Sequence, residues 1–109
     1  MKTNGYDLIF GDGRNDDVSL DRERRSVRIR RETIPLSPRE YAVLETLLEQ
    51  RGHVVPRSDL VLRVWGADDP YISACLNVYL HALRRKIEAN PNQPRHIRTV
   101  RGRGVYFAA

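Results

Sequence analysis

The sequence predicts an α+β domain with an N-terminal antiparallel sheet, three helices and a C-terminal β-hairpin. Three observations carry this. Residues 18–37 alternate apolar and charged side chains in short runs separated by charged turns. Residues 37–89 hold three stretches of apolar residues at helical spacing, each bounded by a cap, a Gly or a Pro. Residues 97–107, IRTVRGRGVYF, set two short apolar-flanked runs around Arg101-Gly102-Arg103-Gly104, which is the pattern of a hairpin. The 109 residues suffice for one domain with a modest core.

The elements follow in order. Tyr6-Asp7-Leu8-Ile9-Phe10 reads as a strand and GDGRNDD, residues 11–17, as a loop. We take residues 1–17 as an N-terminal strand and loop segment and residues 18–109 as the domain proper. In residues 18–37, Val27, Ile29 and Ile34 are spaced for sheet pairing, with Arg24, Arg28 and Arg30 pointing outward on a solvated face. Ser37-Pro38-Arg39-Glu40 is a capping box with Pro at the first helical position. Tyr41, Leu44, Leu47 and Leu48 then form one helical face, and Gly52 supplies the stop. Val54-Val55-Pro56 is a short extended link.

A second helix spans about 57–65, with Leu60, Val61, Val64 and Trp65 as its apolar set. Gly66-Ala67-Asp68-Asp69-Pro70 reads as a loop. Ser73 is the expected cap of a third helix, about 73–89, whose core stripe is Leu76, Leu80, Leu83 and Ile87. Asn90-Pro91-Asn92-Gln93-Pro94 ends it.

Charge narrows the function. Residues 1–73 carry 12 Lys/Arg and 13 Asp/Glu, whereas residues 74–109 carry 7 Lys/Arg and one acid, Glu88. The whole excess of +5 therefore comes from the last third, as expected of a surface that meets a polyanion. The single cysteine, Cys75, cannot make an internal disulfide, and His53, His81 and His96 lack metal-ligand spacing. No metal or other cofactor is implied. Asp68 and Asp69 have no neighbouring base or nucleophile, so no catalytic constellation is expected. No stretch has the length and apolarity of a membrane span or a secretory signal, and the expected compartment is a reducing cytoplasm.

At 100° per residue, the face of the third helix opposite its core stripe is Ala74, Val78, His81, Ala82 and Arg85, flanked by Arg84 and Lys86. A helix with one free face fits a DNA major groove. A hairpin tip bearing Arg101 and Arg103 fits a minor groove or grips phosphates. Gly102 and Gly104 are expected to let that tip approach the duplex.

Four blocks, IPLSPREYAVLETLLEQRGHVV, RVWG, LNVYLHALRRKIE and IRTVRGRGVYF, together resemble the OmpR/PhoB-type winged-helix DNA-binding domain, the output half of many bacterial response regulators. The resemblance covers about residues 18–107. It implies a winged helix-turn-helix fold, with the third helix as recognition helix and the hairpin as wing. It also implies double-stranded DNA as partner and RNA polymerase contact by the loop at about residues 66–72, where Asp68, Asp69 and Tyr71 lie. Binding as a homodimer on tandem half-sites is implied as well. The expected DNA contacts are Asn77, Val78, Tyr79, His81, Arg84, Arg85 and Lys86 on the helix, and Arg98, Thr99, Arg101 and Arg103 on the wing. Of these, Arg84 is expected at a base or phosphate and Arg101 in the minor groove.

The sequence departs from the family pattern on the reading face. Ala74 replaces a usual Arg, Tyr79 a usual His, and Ala82 a position that often reads a base. That face is left with few donors, though it can pack against thymine methyl groups. The competing expectation is a protein-interaction module built on the same fold, since small apolar residues suit a partner surface. Ahead of residue 18 there is no room within the sequence for a phosphoacceptor domain.

Overall fold

The structure is a computed structural model, and it describes residues 8–10 and 18–109. The loop read at residues 11–17 lies outside the described residues, as do Tyr6 and Asp7 of the first strand. β1 (Leu8–Phe10), β2 (Val18–Asp21), β3 (Ser26–Ile29) and β4 (Glu32–Pro35) form an antiparallel meander in sequence order. α1 (Pro38–Glu49), α2 (Arg57–Trp65) and α3 (Pro70–Ile87) follow. β5 (Ile97–Val100) and β6 (Gly104–Phe107) close the chain as a hairpin.

The alternation in residues 18–35 does what its period requires. Val18, Leu20, Val27 and Ile29 are buried, and the register pairs Val18 with Ile29 and Leu20 with Val27, so one face of the meander is apolar. Arg24 and Arg28 are exposed, as expected. Arg30 is not on a strand. Ile29 pairs with Glu32, which leaves Arg30 and Arg31 as a two-residue turn, with φ of 49° and 66°. The right-handed strand twist demands that left-handed conformation at both turn positions even without Gly or Asn.

The capping box of α1 forms in full: Ser37 Oγ accepts from the Glu40 N–H, and Glu40 Oε1 accepts from the Ser37 N–H at 2.8 Å. The helix ends at Glu49 with Gln50 as C-cap. Gly52 lies beyond that cap, at φ 84°, and donates its N–H to the Phe107 carbonyl. It therefore ties the α1 exit to β6.

α3 differs from its expected bounds. Asp69, not Ser73, is the N-cap: its Oδ1 accepts the Ile72 N–H at 2.9 Å, and Pro70 opens the helix. Asp69-Pro70 repeats the signal of Ser37-Pro38, and a Pro ring preset to helical φ starts the helix three residues early. Ser73 instead takes Arg57, whose Nη2 donates to the Ser73 carbonyl at 2.8 Å and to its hydroxyl at 3.2 Å. This joins the start of α2 to α3.

One core unites the layers. Leu44, Leu47 and Leu48 of α1, Leu60 and Val61 of α2, and Leu76, Leu80, Leu83 and Ile87 of α3 are buried together with the sheet face and with Ile97, Val105 and Phe107 of the hairpin. Val55, in the link between α1 and α2, pairs antiparallel with Val105. The hairpin thus gains a third short partner and is held against the helices.

Candidate nucleic-acid interface

The interface begins with the phase of α3. Burying Leu76, Leu80, Leu83 and Ile87 leaves Ala74, Asn77, Val78, His81 and Arg85 exposed, one continuous stripe along the helix. Val78, at its centre, is 66% exposed. Tyr71, 78% exposed, stands in phase with Ala74 and Val78, so it opens this stripe from the first turn of α3. It does not lie in the preceding loop, which shrinks to residues 66–69 and retains Asp68. Ala82 is half-buried at the edge of the stripe.

The wing stands beside this helix. Its tip, Arg101-Gly102-Arg103, projects as a turn in which the Arg103 N–H donates to the Val100 carbonyl and Gly102 takes φ 76°. Arg98, Thr99, Arg101 and Arg103 are exposed. Among the described residues no side-chain acceptor pairs with Arg85, Arg98, Arg101 or Arg103, so four guanidinium groups face solvent with their donors available. A tip with two unpaired arginines matches phosphate or a narrow minor groove in both charge and reach.

Gly104 has a different role from the one expected. Its φ is 156° and a Cβ there would collide with the backbone of Val55 and Pro56. Its missing side chain serves the close pairing with the α1–α2 link, on the side of the hairpin that faces the protein.

Three expected contact residues of α3 have partners inside the chain. Tyr79 is half-buried, its ring edge-on to Trp65 with centroids 5.6 Å apart, and Arg39 covers the same indole at 5.1 Å. Lys86 donates to Glu40 Oε1 at 2.6 Å and to the Pro35 carbonyl at 3.3 Å. It braces α3 against the start of α1. Arg84 is the third: Nε donates to the Ile97 carbonyl at 3.0 Å and Nη2 to Thr99 Oγ1 at 2.8 Å. Burial pushes the Arg84 pKa down, and Glu88 one turn on opposes that shift.

Glu88 escaped the sequence reading except as the one acid in a basic segment. It is the C-cap of α3, and its side chain is 1% exposed. Its carboxylate accepts the N–H groups of Arg95, His96 and Ile97 at 2.8–3.1 Å. His96 Nδ1 stands 3.0 Å from Oε1, and facing a carboxylate it is the nitrogen that bears hydrogen. Burial alone would raise the Glu88 pKa. The hydrogen bonds from Ile97, Arg95 and His96 outweigh it and hold the carboxyl below its ordinary value. A lone acid at the end of a cationic helix, just before a Pro-rich turn, is the signal that would have marked it.

Comparison with known proteins agrees with this geometry. A family model described as transcriptional regulatory protein, C terminal, matches residues 31–107. The sensory transduction protein RegX3 of Mycobacterium tuberculosis is 44% identical over 87 residues, 80% of this chain and 38% of that protein. The transcriptional regulatory protein KdpE of the same species is 41% identical over 76 residues, 70% of this chain and 34% of that one. The chain thus spans just over a third of the length of these relatives. Among solved structures, the Klebsiella pneumoniae RstA DNA-binding domain in complex with the RstA box superposes with a TM-score of 0.77 at 26% identity, covering 92% of this chain and 96% of that one. The Thermotoga maritima response regulator DrrB, an OmpR/PhoB homologue, gives 0.76 at 29% identity, over 93% of this chain and 44% of that one. The three helices between an N-terminal sheet and a terminal hairpin are the winged-helix fold.

Proposed function

Since the chain belongs to the transcriptional regulatory protein C-terminal family, of OmpR/PhoB type, we propose that it binds double-stranded DNA as the output domain of a transcriptional regulator. α3 lies in the major groove and the wing at the adjacent minor groove. The observation that carries this is the exposed stripe of α3 beside a hairpin tip whose arginines have no partner among the described residues. The likeness to RstA, solved on its DNA box, supports the same orientation. The family is one of regulators rather than an enzyme class. No helix among the described residues is long and apolar enough to cross a membrane.

Recognition divides by chemistry. Arg85, Arg98 and Arg103 supply backbone attraction, which fixes register without reading sequence, and Arg101 enters the minor groove, where its contact depends on groove width. Asn77, Val78 and His81 face the base edges. Asn77 offers the bidentate geometry that suits adenine, and Val78 offers an apolar surface to a thymine methyl. The reading is therefore of A·T pairs more than of guanine, for which the stripe's only guanidinium is Arg85, at one end.

The proposal extends to two partners. The loop of residues 66–69, with Asp68, contacts RNA polymerase. Exposed Leu62 on the helix that leads into that loop supports this. A second copy binds an adjacent half-site in tandem.

The test is a salt titration on duplex DNA. The logarithm of the binding constant should fall by about 0.9 per log unit of salt for each phosphate neutralised. Absence of binding at low salt, or indifference to salt, overturns the proposal and leaves the stripe as a protein-facing surface.

A further inference from the structure

The first residue of the wing is held at both of its backbone groups by side chains of α3. The Ile97 N–H donates to Glu88 Oε2 at 2.8 Å, and the Ile97 carbonyl accepts from Arg84 Nε at 3.0 Å. Arg84 and Glu88 are one helical turn apart and so share a face of α3. Their opposite charges match the opposite polarity of the two backbone groups. Each side chain also reaches one step further along the connection. Glu88 takes the N–H groups of Arg95 and His96, and Arg84 takes the Thr99 hydroxyl. Every one of these bonds is between the C-terminal end of α3 and either the first strand of the wing or the two residues that lead into it.

A stability role alone does not account for this arrangement. Ile97 is already buried and β5 is already paired with β6, so the apolar core holds the hairpin to the domain. Apolar packing is non-directional and leaves rotation and sliding of the hairpin weakly specified. Charge-assisted hydrogen bonds at both backbone groups of one residue, and so on two successive peptide units, specify both. What they specify is the placement of Arg101, four residues past Ile97, relative to Val78 and His81 on the same helix.

We propose that Arg84 and Glu88 are positioning residues that set the wing at a fixed offset from the reading face of α3, so that groove and wing contacts are made together. The inference rests on the DNA-binding reading above. It gives Arg84 a role through the wing in place of a direct base contact. It gives Glu88, an anion in a polyanion-binding segment, a purpose its charge alone would contradict.

That contradiction supplies the test. Removing a negative charge near DNA strengthens binding by simple electrostatics. The proposal requires Glu88→Gln to weaken it, because the amide cannot hold the same set of N–H groups. Arg84→Met keeps the apolar stem that packs on the core and removes both donors. Affinity for a duplex carrying an A·T tract is measured for each variant, alone and combined with Arg101→Ala, at fixed salt. Each single change is expected to lose about tenfold, falling below about twofold once Arg101 is gone, because a misplaced wing matters only while its arginine is there to be placed. Unchanged or tighter binding by Glu88→Gln overturns the proposal, as do equal losses in both Arg101 backgrounds. Binding by the parent at low salt is the control. Its absence would reject the DNA reading itself, whereas additive losses with an intact parent reject only the positioning role.

Discussion

The backbone of Gly104 lies so close against the Val55 carbonyl that no Cβ fits between them. The two chains meet there because Val55 and Val105 exchange N–H···O=C bonds of 2.7 and 3.0 Å. Gly104→Ala must push the link away or break that pairing, at a positive φ an L side chain resists. We expect a loss of about 2 kcal/mol or more. Gly102→Ala meets no atom within 4 Å and bears only the strain of φ 76°, about 1 kcal/mol. Urea unfolding of both variants checks the order, and equal losses would place the Gly104 constraint elsewhere.

The two tip arginines are expected to behave differently. Arg103→Ala should weaken all duplexes about equally and reduce the salt slope by about one phosphate. Arg101→Ala should cost more, and most on an A-tract, where a narrow minor groove concentrates negative potential. Titration of each variant against A-tract and G·C-rich duplexes, with melting curves alongside, separates the two. Unchanged affinity in both would mean the tip serves something other than DNA.

Val78 is expected to read thymine. Replacing thymine by uracil deletes only the C5-methyl group, so the loss reports that contact directly. One buried methyl is worth about 0.8 kcal/mol, or about fourfold in affinity. The parent should discriminate thymine from uracil by that factor at one or two positions, and Val78→Ala should not. Equal discrimination by both would move the reader to another residue.

Acid should loosen the wing before it unfolds the sheet. Glu88 is held below its ordinary pKa of 4.5 by hydrogen bonds to its ionised form. Its stabilisation is complete above about pH 4.5, where the unfolded carboxyl is also ionised, and fades as pH falls through the lower folded value. Denaturation midpoints at pH 5.5 and pH 3.5 should therefore differ less for Glu88→Gln than for the parent. An identical drop in both would assign the acid sensitivity to other groups.

Lys86 is expected to matter for stability and little for DNA. Its ammonium is committed to Glu40 across the α1–α3 contact. Lys86→Ala should cost up to about 1 kcal/mol, since the pair is partly solvated, and leave the salt slope of binding unchanged. A slope reduced by a full phosphate would return Lys86 to the interface.

Much of this fold is legible in the sequence because its signals are local. The capping box at Ser37, the Leu76–Ile87 stripe and the hairpin at 97–107 each follow from spacing within a dozen residues. The start of α3 was legible too, in Asp69-Pro70, but Ser73 offered a rival cap and periodicity alone could not choose. What sequence could not show were meetings of distant residues. Nothing in Lys86 points to Glu40, nor in Arg84 to Thr99, and nothing marks Val55 as a partner of Val105. The stripe that faces solvent was readable by phase, whereas which of its flanking cations are already engaged required the packed structure.

The Val55–Val105 pairing also bears on the order in which the molecule assembles. The two residues are nearly half the chain apart, whereas the helices are joined by short links. Closing so long a loop is entropically costly until the helices have drawn its ends together, so the wing docks late. Substitutions at this junction should then act on the rate of unfolding more than on the rate of folding. The element that bears the tip arginines is thus among the last to form and the first to let go.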